Sequence, residues 1–318
     1  MLDIVITHYN ESWEVVRSLM YMLGLQKGVD FSQIRVQLIH DGGEAFPEEY
    51  FDWMPFKVHQ SVIEHGGVSV ARNYGLDHSD AKWVCFCDCD DTFLDVYSLK
   101  YVFDCLGTND YDLLWAPFIQ ENKSRQIQLN ECFNTVWIHN KYYRLDFLRE
   151  HNFRFGESLV YGEDSAFNSE IILEINPDRI GKIKSPAPLY MWSYREGSAT
   201  TSESNKLKNM IGQFDRNLYM VNELRKRNDP ELVTLICRTI TDSYATLTRI
   251  DRPDGCEQLE RRVINFYRKN KNLFKSVDDD RLKEIQKASD GEAYALNFFN
   301  EDRPKLSDWL EQLEAKYV

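Results

Sequence analysis

Trp83-Val84-Cys85-Phe86-Cys87-Asp88-Cys89-Asp90-Asp91 is the stretch on which the reading of the fold turns. Its first five residues have the composition of a strand covered on both faces. Its last four include three carboxylates, which repel one another and resist desolvation. A divalent cation removes both penalties. Asp88 and Asp90 stand two apart, so an extended backbone sends them to the same side. One can then hold a hard metal ion while the other orients whatever that ion touches. Carboxylate oxygens without paired His or Cys spacing favour Mg²⁺ or Mn²⁺ over zinc. A solvated Asp-rich turn is the plain alternative, and the stretch alone does not choose between the two.

Working outward, apolar strand patterns recur at Leu2–Thr7, Ile34–Ile39, Phe56–Ile63 and Leu113–Phe118. Helical patterns lie between them. The first starts at a cap on Asn10 or Ser12, carries Trp13, Val16, Leu19, Met20 and Leu23 on one face, and ends at Gly24 and Gly28. Others are expected over Val68–Asp77 and Ser98–Leu106. Trp137–Arg144 leads into a helix through about His151, and Gly162-Glu163-Asp164 opens one over Ser165–Ile175. Acids in a first helical turn suit the helix dipole, which is the bland account of Glu163 and Asp164. Alternating strands and helices predict an α/β fold, a mostly parallel sheet with helices on both faces. Sites on such sheets lie at the carboxyl ends of the strands. There stand Thr7–Asn10, Asp41 and Asp88–Asp91, and that convergence favours the carboxylate reading.

The totals narrow the classes. A chain of 318 residues, 43% hydrophobic, can bury one large core, or a main domain plus an accessory. Residues 1–200 hold 17 Lys+Arg against 30 Asp+Glu, whereas 201–318 hold 21 of each. The net charge of −13 thus belongs to the first two thirds, which argues against nucleic acid as a partner. Seven cysteines without a Cys-x-x-Cys pair argue against structural zinc and for reduced thiols in a cytoplasm. No apolar run approaches the ~20 residues of a membrane span, and the N-terminus opens directly on a strand, so neither secretion nor a membrane anchor is expected.

Taken together, the motifs resemble glycosyltransferase family 2, nucleotide-sugar transferases of GT-A fold. The resemblance rests on Ile4-Val5-Ile6-Thr7-His8-Tyr9-Asn10, on His40-Asp41-Gly42-Gly43, and on Gly67-Val68-Ser69-Val70-Ala71-Arg72-Asn73-Tyr74-Gly75. It continues through Asp88-Cys89-Asp90-Asp91, Trp137–Arg144, Gly162-Glu163-Asp164, and Arg195 with Ser198 and Thr200. Each piece is weak alone; their order over about 200 residues is specific. The chain departs from the family where Pro usually stands near Thr7. It also departs at His40, which replaces the first acid of an Asp-Asp-Gly-Ser turn, and at Gly43, which replaces the Ser.

The resemblance implies roles. Asp41 would accept from the nucleotide base, with Thr7, Tyr9 and Arg72 lining its pocket. Asp88 would meet the ribose or the metal. Asp90 would bind Mn²⁺ or Mg²⁺ bridging the diphosphate, and Arg195 would close over the donor. Asp164 would be the base that deprotonates an acceptor hydroxyl, giving direct displacement with inversion. A UDP-sugar is the expected donor, although His40 leaves the base open among uracil, thymine and guanine. A glycan or lipid-linked glycan is the expected acceptor, in polysaccharide biosynthesis. His40 reads as a hydrogen-bonding strand-end residue rather than a metal ligand, and His139 as a helix-entry or core histidine. Arg195 could instead be a surface ion-pair partner of Glu196 or another acid.

The expected division is a GT-A domain over 1–203, with a donor half to about 118 and an acceptor half beyond, then a helical region over 204–318. Leu259–Lys271 is amphipathic and basic. A packed helix with solvated charges is preferred there over docking on an anionic membrane surface. Tyr294, Phe298, Phe299, Trp309 and Leu310 could pack this region on the main domain or form a homodimer face. Three rival functions are weighed. A nucleotidyltransferase would need a basic Gly-rich loop after the first strand, which His8-Tyr9-Asn10-Glu11 is not. A glycan-binding domain without chemistry would be expected to lack Asp90 or Asp164. A transferase acting on modified DNA bases fits poorly with an acidic surface.

Overall fold

The chain is described here by a computed structural model covering residues 1–107, 110–195, 206–249, 252–290 and 304–317. Four parallel strands follow the apolar runs: β1 (Leu2–His8), β2 (Ile34–Asp41), β3 (Lys57–Ile63) and β4 (Trp83–Asp88). The short strands β6 (Leu113–Trp115), β9 (Lys141–Arg144) and β10 (Ile180–Lys182) extend the same sheet, in the order β10-β6-β9-β4-β1-β2-β3. Only β9 runs against its neighbours β4 and β6. The pleat of β4 explains its sequence. Trp83, Cys85 and Cys87 enter one core, whereas Val84 and Phe86 enter the other.

Helices fill both faces. α1 (Trp13–Gly24) and α3 (Ser98–Leu106) bring Val16, Leu19, Met20, Leu23, Leu99 and Val102 to the first core. On the other face lie α2 (Val68–His78), α4 (Leu145–Glu150) and α5 (Glu163–Glu174), through Ala71, Leu76, Phe147, Phe167 and Ile171. Gly75 permits α2 its closeness to β1, since a Cβ there would stand 2.4 Å from Val5 Cγ1.

One expected strand divides. Leu113–Phe118 is not continuous: β6 stops at Trp115, and β7 (Phe118–Glu121) belongs to a second sheet. Pro117 has no N–H to continue a ladder, and the chain changes sheet there. The second sheet has the order β5-β11-β7-β8, with β5 (Thr92–Phe93), β8 (Ile127–Asn130) and β11 (Tyr190–Trp192). Trp137–Arg144 is strand only over its last four residues.

The chain forms two compact units, Met1–Thr201 and Ser202–Val318. The second contains α6 (Lys206–Arg227), α7 (Leu232–Leu247), α8 (Glu257–Phe274), α9 (Asp279–Asp290) and α10 (Leu306–Lys316). The basic stretch is part of α8. Its Leu259, Val263, Ile264, Phe266 and Tyr267 are buried in the unit's own core, so that apolar face is already occupied. Trp309 and Leu310 are buried in the same core, Trp309 edge-on to Tyr244 at 5.4 Å, rather than forming an outward face. Tyr294, Phe298 and Phe299 lie outside the described residues. Among the described residues no helix is long and apolar enough to cross a membrane.

Candidate active site

Arg72 organises the carboxyl edge of the main sheet. It projects from α2, whose first turn is fixed by Asp41 at the end of β2. Asp41 Oδ1 accepts from Gly66 N at 2.7 Å, and its Oδ2 accepts from Gly67 N at 2.9 Å. Gly67 has φ +94°, a conformation that L side chains rarely adopt. His65 Nδ1 also lies 3.0 Å from Asp41 Oδ2. Both oxygens of the residue expected to receive a nucleotide base are therefore engaged in holding this turn.

From that fixed helix the Arg72 side chain, only 3% exposed, reaches three acids. Its Nη2 donates to Asp88 Oδ1 at 2.9 Å, and its Nη1 donates to Glu163 Oε1 at 3.0 Å and to Asp164 Oδ1. The guanidinium stacks over Phe155 at 5.3 Å. Burial opposes the charge, but Asp164, Asp88 and Glu163 outweigh it and hold Arg72 above its ordinary pKa. The expected role for Arg72 was lining a nucleotide pocket; in the structure it ties the β4 acid to the α5 acids.

Asp164 sits in the first turn of α5, where the helix dipole favours an anion. Its Oδ2 accepts from Ile138 N at 3.3 Å. Burial raises its pKa from 3.8 to about 7; Arg72 pulls it down, and Glu163 and Asp88 push it back up. A carboxylate poised there can accept a proton near neutral pH. Beside it, Lys141 is buried and donates from Nζ to Trp137 O. Burial lowers its pKa to about 8, with Asp164 working the other way.

The acids after β4 do not line up as an extended chain predicts. The strand ends at Asp88, the chain turns through Cys89 and Asp90, and Asp91 N donates to Asp88 O at 3.2 Å. The turn gives the three side chains different partners. Asp88 goes to Arg72. Asp90 Oδ2 accepts from Arg195 Nε at 2.7 Å, and Arg195 Nη2 donates to Glu11 Oε1 at 2.9 Å. Asp91 points inward, accepting from Tyr190 OH at 2.9 Å and Ser193 N at 3.0 Å. Burial raises the pKa of Asp90, and Asp88 adds to the rise against Arg195. Burial keeps Asp91 well above the carboxylate range, again with Asp88 contributing.

Asp88, Asp91 and His139 each offer a ligand atom within 4.8 Å of the others. The buried His139 Nδ1 finds no hydrogen-bond partner among the described residues and lies 3.4 Å from Asp91 Oδ2. Burial lowers the pKa of His139 although Asp88 and Asp164 oppose this, which suits a neutral imidazole ligand. An imidazole nitrogen without a hydrogen-bond partner among the described residues, beside Asp88 and Asp91, fits a divalent cation. This grouping contains Asp88 but not Asp90.

The remaining expected residues are close in the fold. Thr7 is level with both Ile39 and Asp88 in the sheet. Tyr9 is exposed and stacks on His65 at 4.3 Å. Arg195 meets Asp90 and Glu11, while Glu196, Ser198 and Thr200 lie outside the described residues. Sequence reasoning did not anticipate Glu11, which accepts from Arg195 and, through Oε2, from Tyr9 N at 2.8 Å. Nor did it anticipate Asp91 and His139 acting together. Only the unexplained third acid of the Asp88–Asp91 run was a signal for them.

A mostly parallel sheet with acids gathered at its carboxyl edge, and a carboxyl of raised pKa opposite them, is an arrangement of the GT-A kind. The sequence pattern of Glycosyl transferase family 2 matches residues 3–171, and the chain belongs to that family. The chain is 26% identical over 223 residues to the minor teichoic acid biosynthesis protein GgaB of Bacillus subtilis (strain 168). That match covers 61% of this chain and 24% of the relative, so the chain spans about a quarter of GgaB's length. Among solved structures, S. aureus TarS is similar, with TM-score 0.63 and 16% identity over 93% of this chain and 54% of that one. TarS 1–349 in complex with UDP-GlcNAc has TM-score 0.59 and 18% identity, covering 95% of this chain and 98% of that one. At such identities the likeness establishes the fold.

Proposed function

We propose that the chain transfers a sugar from a UDP-sugar to a hydroxyl of a glycan or glycoconjugate acceptor, with inversion, in building a surface polysaccharide from the cytoplasmic side. The observation that carries this reading is the buried Arg72, joined to Asp88 on one side and to Glu163 and Asp164 on the other. It holds the donor acid and the prospective base at a fixed separation. The likeness to TarS bound to UDP-GlcNAc and to GgaB supports the donor and the pathway.

The acceptor oxygen attacks the anomeric carbon as its proton passes to Asp164. The bond from that carbon to the diphosphate oxygen breaks, and the electron pair leaves with UDP. Thr7, Tyr9 and Asp41 stand at the strand ends that would flank the nucleoside. Arg195, released from Asp90, would meet the diphosphate. A divalent cation, Mn²⁺ or Mg²⁺, held by Asp88 and Asp90 would neutralise charge on the leaving diphosphate. The grouping of Asp88 with Asp91 and His139 favours a second ligand set for the same ion. Manganese affinity of Asp90→Ala against His139→Ala distinguishes the two.

The test is a panel of nucleotide-sugars incubated with the protein and Mn²⁺, with slow hydrolysis measured for each. Release of UDP from one UDP-sugar well above the rest is the expected result. Equal, metal-independent background for all donors would refute the reading.

A further inference from the structure

His8, at the end of β1, and His40, in β2, are paired across the sheet, with their Nδ1 atoms 2.9 Å apart. His8 is 6% exposed and His40 is fully buried. The outer nitrogen of each ring faces an oxygen. His8 Nε2 lies 2.7 Å from the backbone carbonyl of Glu11, which can only accept. His40 Nε2 lies 3.0 Å from Gln60 Oε1.

The orientation of that amide is fixed by its surroundings. Gln60 Oε1 accepts from Phe46 N at 3.0 Å, and Nε2 donates to Phe46 O at 2.9 Å and to Glu48 Oε1 at 3.0 Å. Reversing the amide would set N–H against N–H and oxygen against two oxygens. Both Nε2 atoms must therefore carry hydrogen. Two neutral rings would then face each other lone pair to lone pair at Nδ1. Turning either ring over would put carbon at both of its contacts.

We propose that His8 and His40 share one proton between their Nδ1 atoms, and that this cationic pair positions Glu11 and, through it, Arg195. The first half stands on the hydrogen-bond pattern alone; the second rests on the proposed donor site. A single added proton satisfies every contact in the chain from Gln60 to Glu11. A second is refused, because burial and the charge of His8 hold His40 down. Phe46 lies beside both rings, with centroids 4.8 Å from His8 and 5.3 Å from His40. Among the charged groups around the pair, Glu48 lies behind Gln60 and Glu11, with Arg195, follows His8, while Asp41, next to His40 in the chain, is engaged by His65. From Glu11 the contacts run on to Arg195 and Asp90.

The pair would supply at this edge a positive charge that an acid cannot. His8 and His40 are positioning residues in this account.

The test combines spectroscopy with kinetics. Long-range ¹H–¹⁵N spectra of the imidazoles at pH 7.5 should show both Nε2 atoms protonated and one proton shared by the Nδ1 atoms. Two neutral rings of opposite tautomer would overturn the proposal. Because this readout needs no donor, it stands whether or not the protein binds a UDP-sugar. His40→Asp, which leaves His8 a carboxylate to hold its Nδ1 proton, should keep the Arg195 side-chain signals in place. His40→Phe should shift them and raise the donor KM about tenfold with kcat little changed, the effect of losing one charge-assisted contact. Unmoved Arg195 signals and an unchanged KM in His40→Phe would overturn the positioning half.

Discussion

Arg195 Nε donates to Asp90 Oδ2 at 2.7 Å, across 105 residues of sequence. The cation thus covers one of the acids expected to hold a metal, and Glu11 accepts from the same guanidinium. In the proposed site a bound metal ion would compete with Arg195 for Asp90.

Removing Arg195 should therefore strengthen metal binding while weakening catalysis. Arg195→Gln is expected to bind Mn²⁺ about tenfold more tightly without nucleotide, the scale of one charge contact. UDP-sugar turnover should fall. Titration by calorimetry measures the first and donor hydrolysis the second. Weaker Mn²⁺ binding in the variant would show that Arg195 supports the site rather than screens it.

Arg72 neutralises three acids inside the protein, so removing it leaves them facing one another. Arg72→Met should cost about 3–5 kcal/mol in urea unfolding. Arg72→Lys should recover little, because a single ammonium does not span both sides. The loss in Arg72→Met should be smaller at pH 5.5 than at pH 8. Asp164, already at about 7 in the intact protein, takes up a proton in that range and relieves the repulsion. A loss that does not vary with pH would contradict this electrostatic account.

In the proposed reaction Asp164 acts in its deprotonated form, so protonation would remove the base. With its pKa raised to about 7, kcat/KM should fall as pH drops through 7 and level off above it. Asp164→Asn should keep UDP affinity and lose about 10²–10⁴ in transfer. A profile flat from pH 5 to pH 8 would assign the proton transfer elsewhere.

Gly75→Ala tests the support beneath the site. The added methyl would stand 2.4 Å from Val5 Cγ1, forcing α2 away from β1. The expected cost is about 1–3 kcal/mol despite alanine's better helix propensity. Activity should fall with it, because α2 carries Arg72. A variant as stable and active as the parent would show that the packing there is slack.

The parallel strands and their helices were legible because the stretches around Val5, Leu38 and Phe86 are apolar runs of strand length set between helical patterns. The second sheet was not, since Thr92–Phe93 and Tyr190–Trp192 are too short to form such runs. Leu113–Phe118 read as one strand because apolar composition does not reveal where Pro117 moves the chain between sheets. Asp88, Asp90 and Asp164 stood out in the sequence, but their partners did not. The turn at Cys89 overrides the alternation of an extended chain, and the contact of Asp91 with Tyr190 joins residues 99 apart in sequence. Local patterns carry no record of such pairs.

Calorimetric binding of UDP to the intact protein and to Asp90→Ala, each with Mn²⁺ and with chelator, tests most directly whether this acidic edge binds a nucleotide through a metal. The account predicts binding by the intact protein with Mn²⁺, and its loss both on chelation and in Asp90→Ala. UDP affinity unchanged by chelator and by the substitution would contradict it.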